Sequence, residues 1–70
     1  MYKIGVIGTS WAARSPLPTF QTYKGVDVVA ICSGKVENAR KCAKEFNIPD
    51  VEKNYIDLCR RNDIDIIYIG

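Results

Sequence analysis

Two short stretches of this sequence have the residue types and the spacing that hold phosphate groups. The first follows an apolar, β-branched run and reads Gly8-x-Ser10-x-x-Ala13, a variant of the G-x-G-x-x-G/A fingerprint for a dinucleotide pyrophosphate. Gly8 permits a tight turn from strand to helix, and Ala13 permits close packing of that helix on the strand. Backbone N–H groups at the helix start, aided by the helix dipole, would hold the phosphates. We assign this role to Gly8, Thr9, Ser10, Trp11 and Ala12.

The middle position of the fingerprint departs from its usual residue. Glycine normally stands there so that the backbone can approach the pyrophosphate, and this chain has Ser10. The added hydroxymethyl group either crowds the phosphate or donates a hydrogen bond to it. Trp11 either covers the cofactor or packs half-buried against the protein. The alternative interpretation of the whole stretch is a plain βα turn in another doubly wound fold.

The second stretch is Ser33-Gly34-Lys35, at the predicted end of the second strand. An NAD site would have Asp or Glu there to accept hydrogen bonds from the ribose hydroxyls. Here Ser33 can donate to a 2′-phosphate, Gly34 exposes backbone N–H, and Lys35 supplies positive charge, so the pattern predicts NADP rather than NAD. A lysine at a helix N-terminus is disfavoured by about 0.3–1 kcal/mol, and a bound anion would relieve that cost. On residue type alone, a solvated loop lysine is an equally good interpretation of Lys35. Arg40, one helical turn later, is a further candidate, although a surface helix arginine is the better interpretation.

Composition excludes several other classes of function. The net charge of +2 in 70 residues gives no basic stripe for nucleic acid or an anionic membrane surface. The apolar runs are too short to span a bilayer, and we find no secretory signal. The chain has no histidine, and no metal-ligand spacing occurs. Its three cysteines, Cys32, Cys42 and Cys59, lack a CxxC motif, and we interpret them as buried free thiols in a reducing cytoplasm.

The elements that must position these residues alternate between strand and helix. We predict strands at 4–7, 26–32, around 51 and at 64–69, and helices from 11 to 14, from Pro16 to about 23, at 36–46 and at 55–61, with Ser15 and Asn54 as N-caps. This alternation predicts a parallel α/β sheet, of the Rossmann-like doubly wound class, with strand order 3-2-1-4. The predicted ligand crevice lies at the carboxyl ends of the strands, where Gly8 and Gly70 both fall.

The residues resemble those of a known family. The stretches 4–15 (IGVIGTSWAARS), 26–35 (VDVVAICSGK) and 54–70 (NYIDLCRRNDIDIIYIG) resemble the N-terminal NAD(P)-binding domain of the Gfo/Idh/MocA oxidoreductases. The resemblance covers nearly the whole chain and implies a cofactor domain of a sugar or polyol dehydrogenase. A Ser-Gly pair in place of the strand-2 acid resembles the NADP-using members. In the family, the Glu-Lys-Pro motif and the catalytic acid–base residues follow the fourth strand, so residues 1–70 are expected to be an incomplete domain without catalytic residues.

Three functions remain open on the sequence. The chain is the cofactor domain of such an oxidoreductase, a non-catalytic nucleotide-binding or regulatory module, or a non-functional gene remnant. The fourth strand, rich in isoleucine, is expected at a sheet edge, and exposed apolar edges associate with other chains. We therefore predict either self-association through this edge, as dimers, or a marginally folded monomer.

Overall fold

The computed structural model describes residues 2–70, and the side chain of Ala12 is outside the described part. The strands are β1 (Tyr2–Ile7), β2 (Val26–Cys32), β3 (Asp50–Val51) and β4 (Ile66–Ile69). The helices are α1 (Trp11–Arg14), α2 (Leu17–Thr22), α3 (Val36–Phe46) and α4 (Tyr55–Cys59). No helix among the described residues is long and apolar enough to cross a membrane.

The four strands form one parallel sheet in the order β3-β2-β1-β4, and this confirms the predicted Rossmann-like topology. The central strand β1 pairs with β2 on one side and with β4 on the other. The pairing with β2 shifts register between Ile4 and Gly5, which oppose Val28 and Ala30, so Val29 is the extra residue of a bulge. The two residues of β3 pair with Ala30 and Ile31, near the end of β2. In the described sheet, the outer side of β2 is therefore unpaired toward its start.

Apolar side chains are buried on both faces of the sheet, as a strand covered by helices requires. One cluster packs α1, α2 and α3 against the sheet and contains Ile4, Val6, Ala13, Leu17, Val28, Ile31, Ala39, Cys42, Ala43 and Ile48. The other packs α4 against the opposite face and contains Val29, Ala30, Cys32 and Leu58. Helices therefore cover both faces of the sheet, with α1, α2 and α3 on one face and α4 on the other.

Several local predictions were wrong. Ser15 does not cap α2, because its backbone is helical and ends α1; Pro16 takes the N-cap position instead. The helix α4 ends at Cys59 rather than residue 61, and β4 begins at Ile66 rather than residue 64. Cys59 is exposed rather than buried.

Candidate functional site

A pocket of about 260 Å³ opens at the carboxyl ends of β1, β2 and β3. Its lining consists of Ile7, Gly8, Cys32, Ser33, Gly34, Lys53, Asn54 and Tyr55. The turn after β1 and the loop after β2 therefore contribute to one cavity, although they are separated by 24 intervening residues from 9 to 32. The parallel pairing of β1 with β2 places their carboxyl ends side by side, since Ile7 is opposite Cys32.

Gly8 is held in a conformation that only glycine adopts readily. Its φ is +114°, and a Cβ built on it would lie 2.5 Å from the carbonyl oxygen of Gly70. The N–H of Gly8 donates to the carbonyl of Cys32 at 2.7 Å, so this amide links the two loops of the pocket. Gly8 thus lets the backbone of the turn lie close to Gly70. Because its N–H is already bonded to Cys32, a phosphate at this turn would bind the N–H groups of the residues after Gly8.

The helix that follows the turn is short and has the predicted bounds. α1 has four residues, so its dipole is small, because few peptide units add to it. Ser10 is the N-cap, and its carbonyl accepts from the N–H groups of Ala13 and Arg14, both at 3.0 Å. The Ser10 side chain is exposed and makes no capping hydrogen bond. Ala13 is fully buried, which agrees with its predicted packing role.

The remaining predicted residues of this turn lie around the pocket rather than in its lining. Thr9 faces a second pocket, of about 340 Å³, between α1 and α3. Trp11 is 82% exposed, so the interpretation as half-buried packing is wrong. The Ala12 assignment concerns a residue whose side chain is outside the described part, and only its backbone in α1 can be placed.

The loop after β2 folds back on itself through one side chain. The hydroxyl of Ser33 donates to the carbonyl of Lys35 at 2.5 Å and accepts from the N–H of Lys35 at 3.2 Å. This arrangement rigidifies the loop, and the hydroxyl must reorient before it can donate to a ligand. Gly34 has open space around it, since a Cβ there would have no atom within 4 Å.

The two predicted cations of this region are exposed. Lys35 is the N-cap residue of α3, and its side chain does not cap the helix. Arg40 lies on α3, and neither residue belongs to the lining of the 260 Å³ pocket. Both are on the element that follows the pocket loop, so Lys35 stands beside the pocket while Arg40 is one turn further away.

The Arg14 side chain is engaged in contacts within the protein. Its guanidinium forms an ion pair with Glu45 at 2.5 Å and lies 5.8 Å from the ring centroid of Phe46. The hydrogen bond to Glu45 raises the pKa of Arg14 above its ordinary value. These contacts tie α1 to the end of α3 and draw Arg14 away from a phosphate in the 260 Å³ pocket.

Three lining residues come from the β3–α4 junction, which the sequence interpretation did not include. Lys53 and Tyr55 flank Asn54, and Asn54 caps α4 by accepting from the N–H of Asp57 at 2.9 Å. The Asn54 amide also donates to the Asp57 carboxylate at 3.2 Å. The available signal was topological: in the order 3-2-1-4, the residues after strand 3 adjoin those after strand 2.

The thiol in the pocket is not an activated nucleophile. Burial raises the pKa of Cys32, and the nearby Cys59, Glu52 and Asp57 raise it further, so the thiol is protonated at neutral pH. Within residues 2–70, no group of three or more His, Cys, Asp or Glu side chains is arranged to hold a metal ion. The chemistry that the pocket offers is therefore backbone amides, one lysine and an aromatic ring.

Comparisons with known proteins agree with this geometry. Residues 2–70 match a family model described as the oxidoreductase family with an NAD-binding Rossmann fold. The chain is 33% identical over 70 residues to trans-1,2-dihydrobenzene-1,2-diol dehydrogenase of Xenopus laevis, covering 97% of the chain and 21% of the relative. It is 31% identical over 76 residues to glycosyl hydrolase family 109 protein 5 of Phocaeicola vulgatus, covering 97% of the chain and 15% of the relative.

Two solved structures superpose over the whole fold. One is myo-inositol dehydrogenase from Lactobacillus casei in complex with NAD(H) and myo-inositol, with a TM-score of 0.92 and 26% identity. The other is a 3-ketoreductase from Actinomadura kijaniata in complex with NADP, with a TM-score of 0.87 and 30% identity. They are covered over 21% and 22% of their lengths, by 100% and 99% of this chain. The chain thus spans about a fifth of the proteins that it matches.

Proposed function

The chain belongs to the Gfo/Idh/MocA oxidoreductase family, as an NAD(P)-binding Rossmann domain, and from this premise we propose that it binds NADP(H) for an oxidoreductase acting on sugars or polyols. One observation carries the proposal: the Gly8 turn and the acid-free loop at Ser33 and Gly34 line a single pocket. In such an enzyme the bound nicotinamide would accept or donate a hydride. Residues 1–70 would supply binding and orientation.

The residues of the pocket fit one half of a dinucleotide. A volume of about 260 Å³ is slightly below the roughly 300–1,000 Å³ of pockets for drug-sized ligands, so we assign it to the adenosine end. The space beside Gly34 is open and admits a ribose with its substituent. The pyrophosphate would then lie over the turn at Thr9, Ser10, Trp11 and Ala12, on the side of the pocket formed by Gly8.

The preference for NADP follows from charge. No carboxylate is among the lining residues of the described pocket, and a carboxylate at the end of β2 is the group that accepts from the ribose hydroxyls of NAD. Lys35, beside the pocket at the N-cap of α3, supplies a cation to which a 2′-phosphate can pair. We keep Arg40 as a weaker, outer contact, because it is exposed and one helical turn further along α3.

The substrate class and location are inferred from chemistry and from relatives. The solved relatives include a myo-inositol dehydrogenase bound to myo-inositol and a 3-ketoreductase bound to TDP-benzene, and the first of these descriptions supports a polyhydroxylated substrate. The cytoplasmic location is part of the same proposal, since Cys32, Cys42 and Cys59 are free thiols and reducing compartments keep thiols unpaired.

Calorimetric titration of the 70-residue chain with NADP and with NAD tests the proposal. We expect saturable binding of both, tighter for NADP, and a selective loss of NADP affinity in Lys35→Ala. Lys24→Ala is the matched control, because Lys24 is exposed just before the start of β2, at the amino end of the strand and away from the pocket. A chain that binds neither nucleotide would contradict the function, and an equal loss for both nucleotides in Lys35→Ala would remove the 2′-phosphate assignment.

We also propose that the edge of β4 self-associates. β4 is the last strand of the sheet on its side, and Ile69 is 73% exposed while Ile66 is 44% exposed. An open apolar edge is a template for pairing. Sedimentation analysis over a concentration series should show dimers or larger species, and Ile69→Lys should reduce them. A stable monomer at high concentration would contradict self-association.

A further inference from the structure

We infer that the β3–α4 junction completes the adenosine end of the site, with Lys53 pairing to the ribose 2′-phosphate and Tyr55 stacking on the adenine. This inference rests on the proposed function and deepens it, since it names which residues select the nucleotide. Lys53 and Tyr55 line the same pocket as Ser33 and Gly34, but they come from a different loop, the β3–α4 junction. A ligand held at Ser33 would therefore face the β3–α4 junction.

The charge of Lys53 is uncompensated in a segment rich in acids. Two carboxylates precede it closely, on Asp50 and Glu52, and both pair with Arg61, at 2.9 Å and 3.1 Å. Within the part of the chain that the structure describes, no ion pair involves Lys53. The two carboxylates thus have their ion-pair partner in Arg61, and the Lys53 ammonium in the pocket wall is left for a ligand, for which a phosphate is a natural partner.

Tyr55 is an aromatic side chain that the fold leaves open. It is the first residue of α4 and is 59% exposed, although it lines the pocket. A planar ring at a pocket wall offers a stacking surface to a purine, and such stacking needs no matching hydrogen bonds because every base has a π-face. Gly34, in the loop after β2 that lines the same pocket, has no side chain, so the ribose can lie beside Gly34 while the base reaches Tyr55.

Asn54 acts as the positioning residue between the two. Its carbonyl oxygen accepts from the N–H of Asp57 at 2.9 Å and its amide donates to the Asp57 carboxylate at 3.2 Å. Both the oxygen and the nitrogen of the Asn54 side chain therefore have hydrogen-bond partners in the protein. The cap fixes the start of α4, and it holds Lys53 and Tyr55 on either side of a defined turn.

The inference is tested by titrating variants of the full chain with NADP and with NAD. Lys53→Gln removes the charge and keeps most of the side-chain length, and we expect NADP affinity to fall on the order of tenfold while NAD affinity changes less than twofold. Tyr55→Ala should weaken NADP and NAD alike, again on the order of tenfold, and Tyr55→Phe should bind as the unaltered chain does. Lys24→Gln is the charge-matched control.

The outcomes separate this inference from the proposed function. If the unaltered chain binds both nucleotides and Lys53→Gln and Tyr55→Ala bind them equally well, the inference is overturned and the proposed function stands. If Lys53→Gln weakens NADP and NAD to the same extent, its assignment to the 2′-phosphate is overturned. If the unaltered chain binds neither nucleotide, both proposals are overturned. Circular dichroism of each variant verifies that the fold is retained.

Discussion

The carbonyl oxygen of Gly70 lies where the first side-chain atom of any other residue at position 8 would come within 2.5 Å of it. Gly8 and Gly70 are at the carboxyl ends of β1 and β4, and the N–H of Gly70 donates to the carbonyl of Ile7 at 3.0 Å. A Cβ at Gly70 would in turn lie 2.5 Å from the backbone nitrogen of Ala13. The turn after β1 is therefore held against the end of the neighbouring strand β4 by backbone contacts.

Gly8→Ala should destabilise the chain. The backbone at position 8 has a φ of +114°, and a side chain there adds strain of about 1–3 kcal/mol before the contact with Gly70 is counted. Urea unfolding measures this loss. Gly34→Ala is the matched control, because its Cβ would enter open space, and it should change the unfolding free energy by less than about 0.5 kcal/mol. Equal effects of the two substitutions would contradict the assigned role of Gly8.

Arg61→Met should destabilise the chain more than Arg60→Met. The Arg61 guanidinium joins the carboxylates of Asp50, Glu52 and Asp63 within 3.1 Å, and its side chain is only 17% exposed. We expect a loss of about 1–2 kcal/mol, since several partners share one ordered cation. Arg60 is exposed and adjacent to Arg61, so Arg60→Met makes the same change in charge and volume. Thermal unfolding that ranks the two variants equally would contradict the network.

The same network predicts loss of stability in acid. The hydrogen bond from Arg61 lowers the pKa of Asp63 below its ordinary value of 3.8. A carboxyl with a lowered folded-state pKa contributes stability above its unfolded pKa, and the contribution is lost as the pH falls through the folded value. The free energy of unfolding of the unaltered chain should therefore decline as the pH falls below about 4. The free energy of unfolding of Arg61→Met should decline less steeply over the same range. Parallel acid profiles for the two chains would contradict this linkage.

One thiol should react much faster than the other two. Cys59 is exposed, whereas Cys32 and Cys42 are buried, and burial raises the pKa of both buried thiols. A thiol reagent at neutral pH should therefore label the native chain in one fast phase and two slow ones. Cys59→Ser should remove the fast phase and Cys42→Ser should retain it. Three equal rates would show that the two buried thiols are not protected.

The sequence predicted the long elements well because their patterns are local. α3 and β2 have the predicted bounds, since an amphipathic stripe and an apolar run define them without outside partners. The strand order followed from the alternation of elements and from crossover handedness. α4 was overestimated because its end is decided by a long-range contact: Arg61 leaves the helix and pairs with Asp50.

The candidate site was predictable in part. Gly8, Ser33 and Gly34 were found from a fingerprint and a strand end, both of which can be recognised along the chain. Lys53 and Tyr55 were missed because β3 has only two residues, and its neighbours in space depend on pairing with β2. The exposure of Trp11 also had no local signal, since α1 is a single turn that buries Ala13 and turns the indole outward.

Amide chemical shifts of the labelled 70-residue chain, recorded during titration with NADP, test whether a dinucleotide binds at the carboxyl ends of the strands. We predict saturable shifts at residues of the pocket and of the turn after β1, among them Gly8, Thr9, Ser10, Ser33, Gly34, Lys53, Asn54 and Tyr55. Lys24 and Gly25, at the amino ends of the strands, should not shift. The absence of any saturable change, or changes centred on Lys24 and Gly25 instead, would contradict a dinucleotide site at the carboxyl ends of the strands.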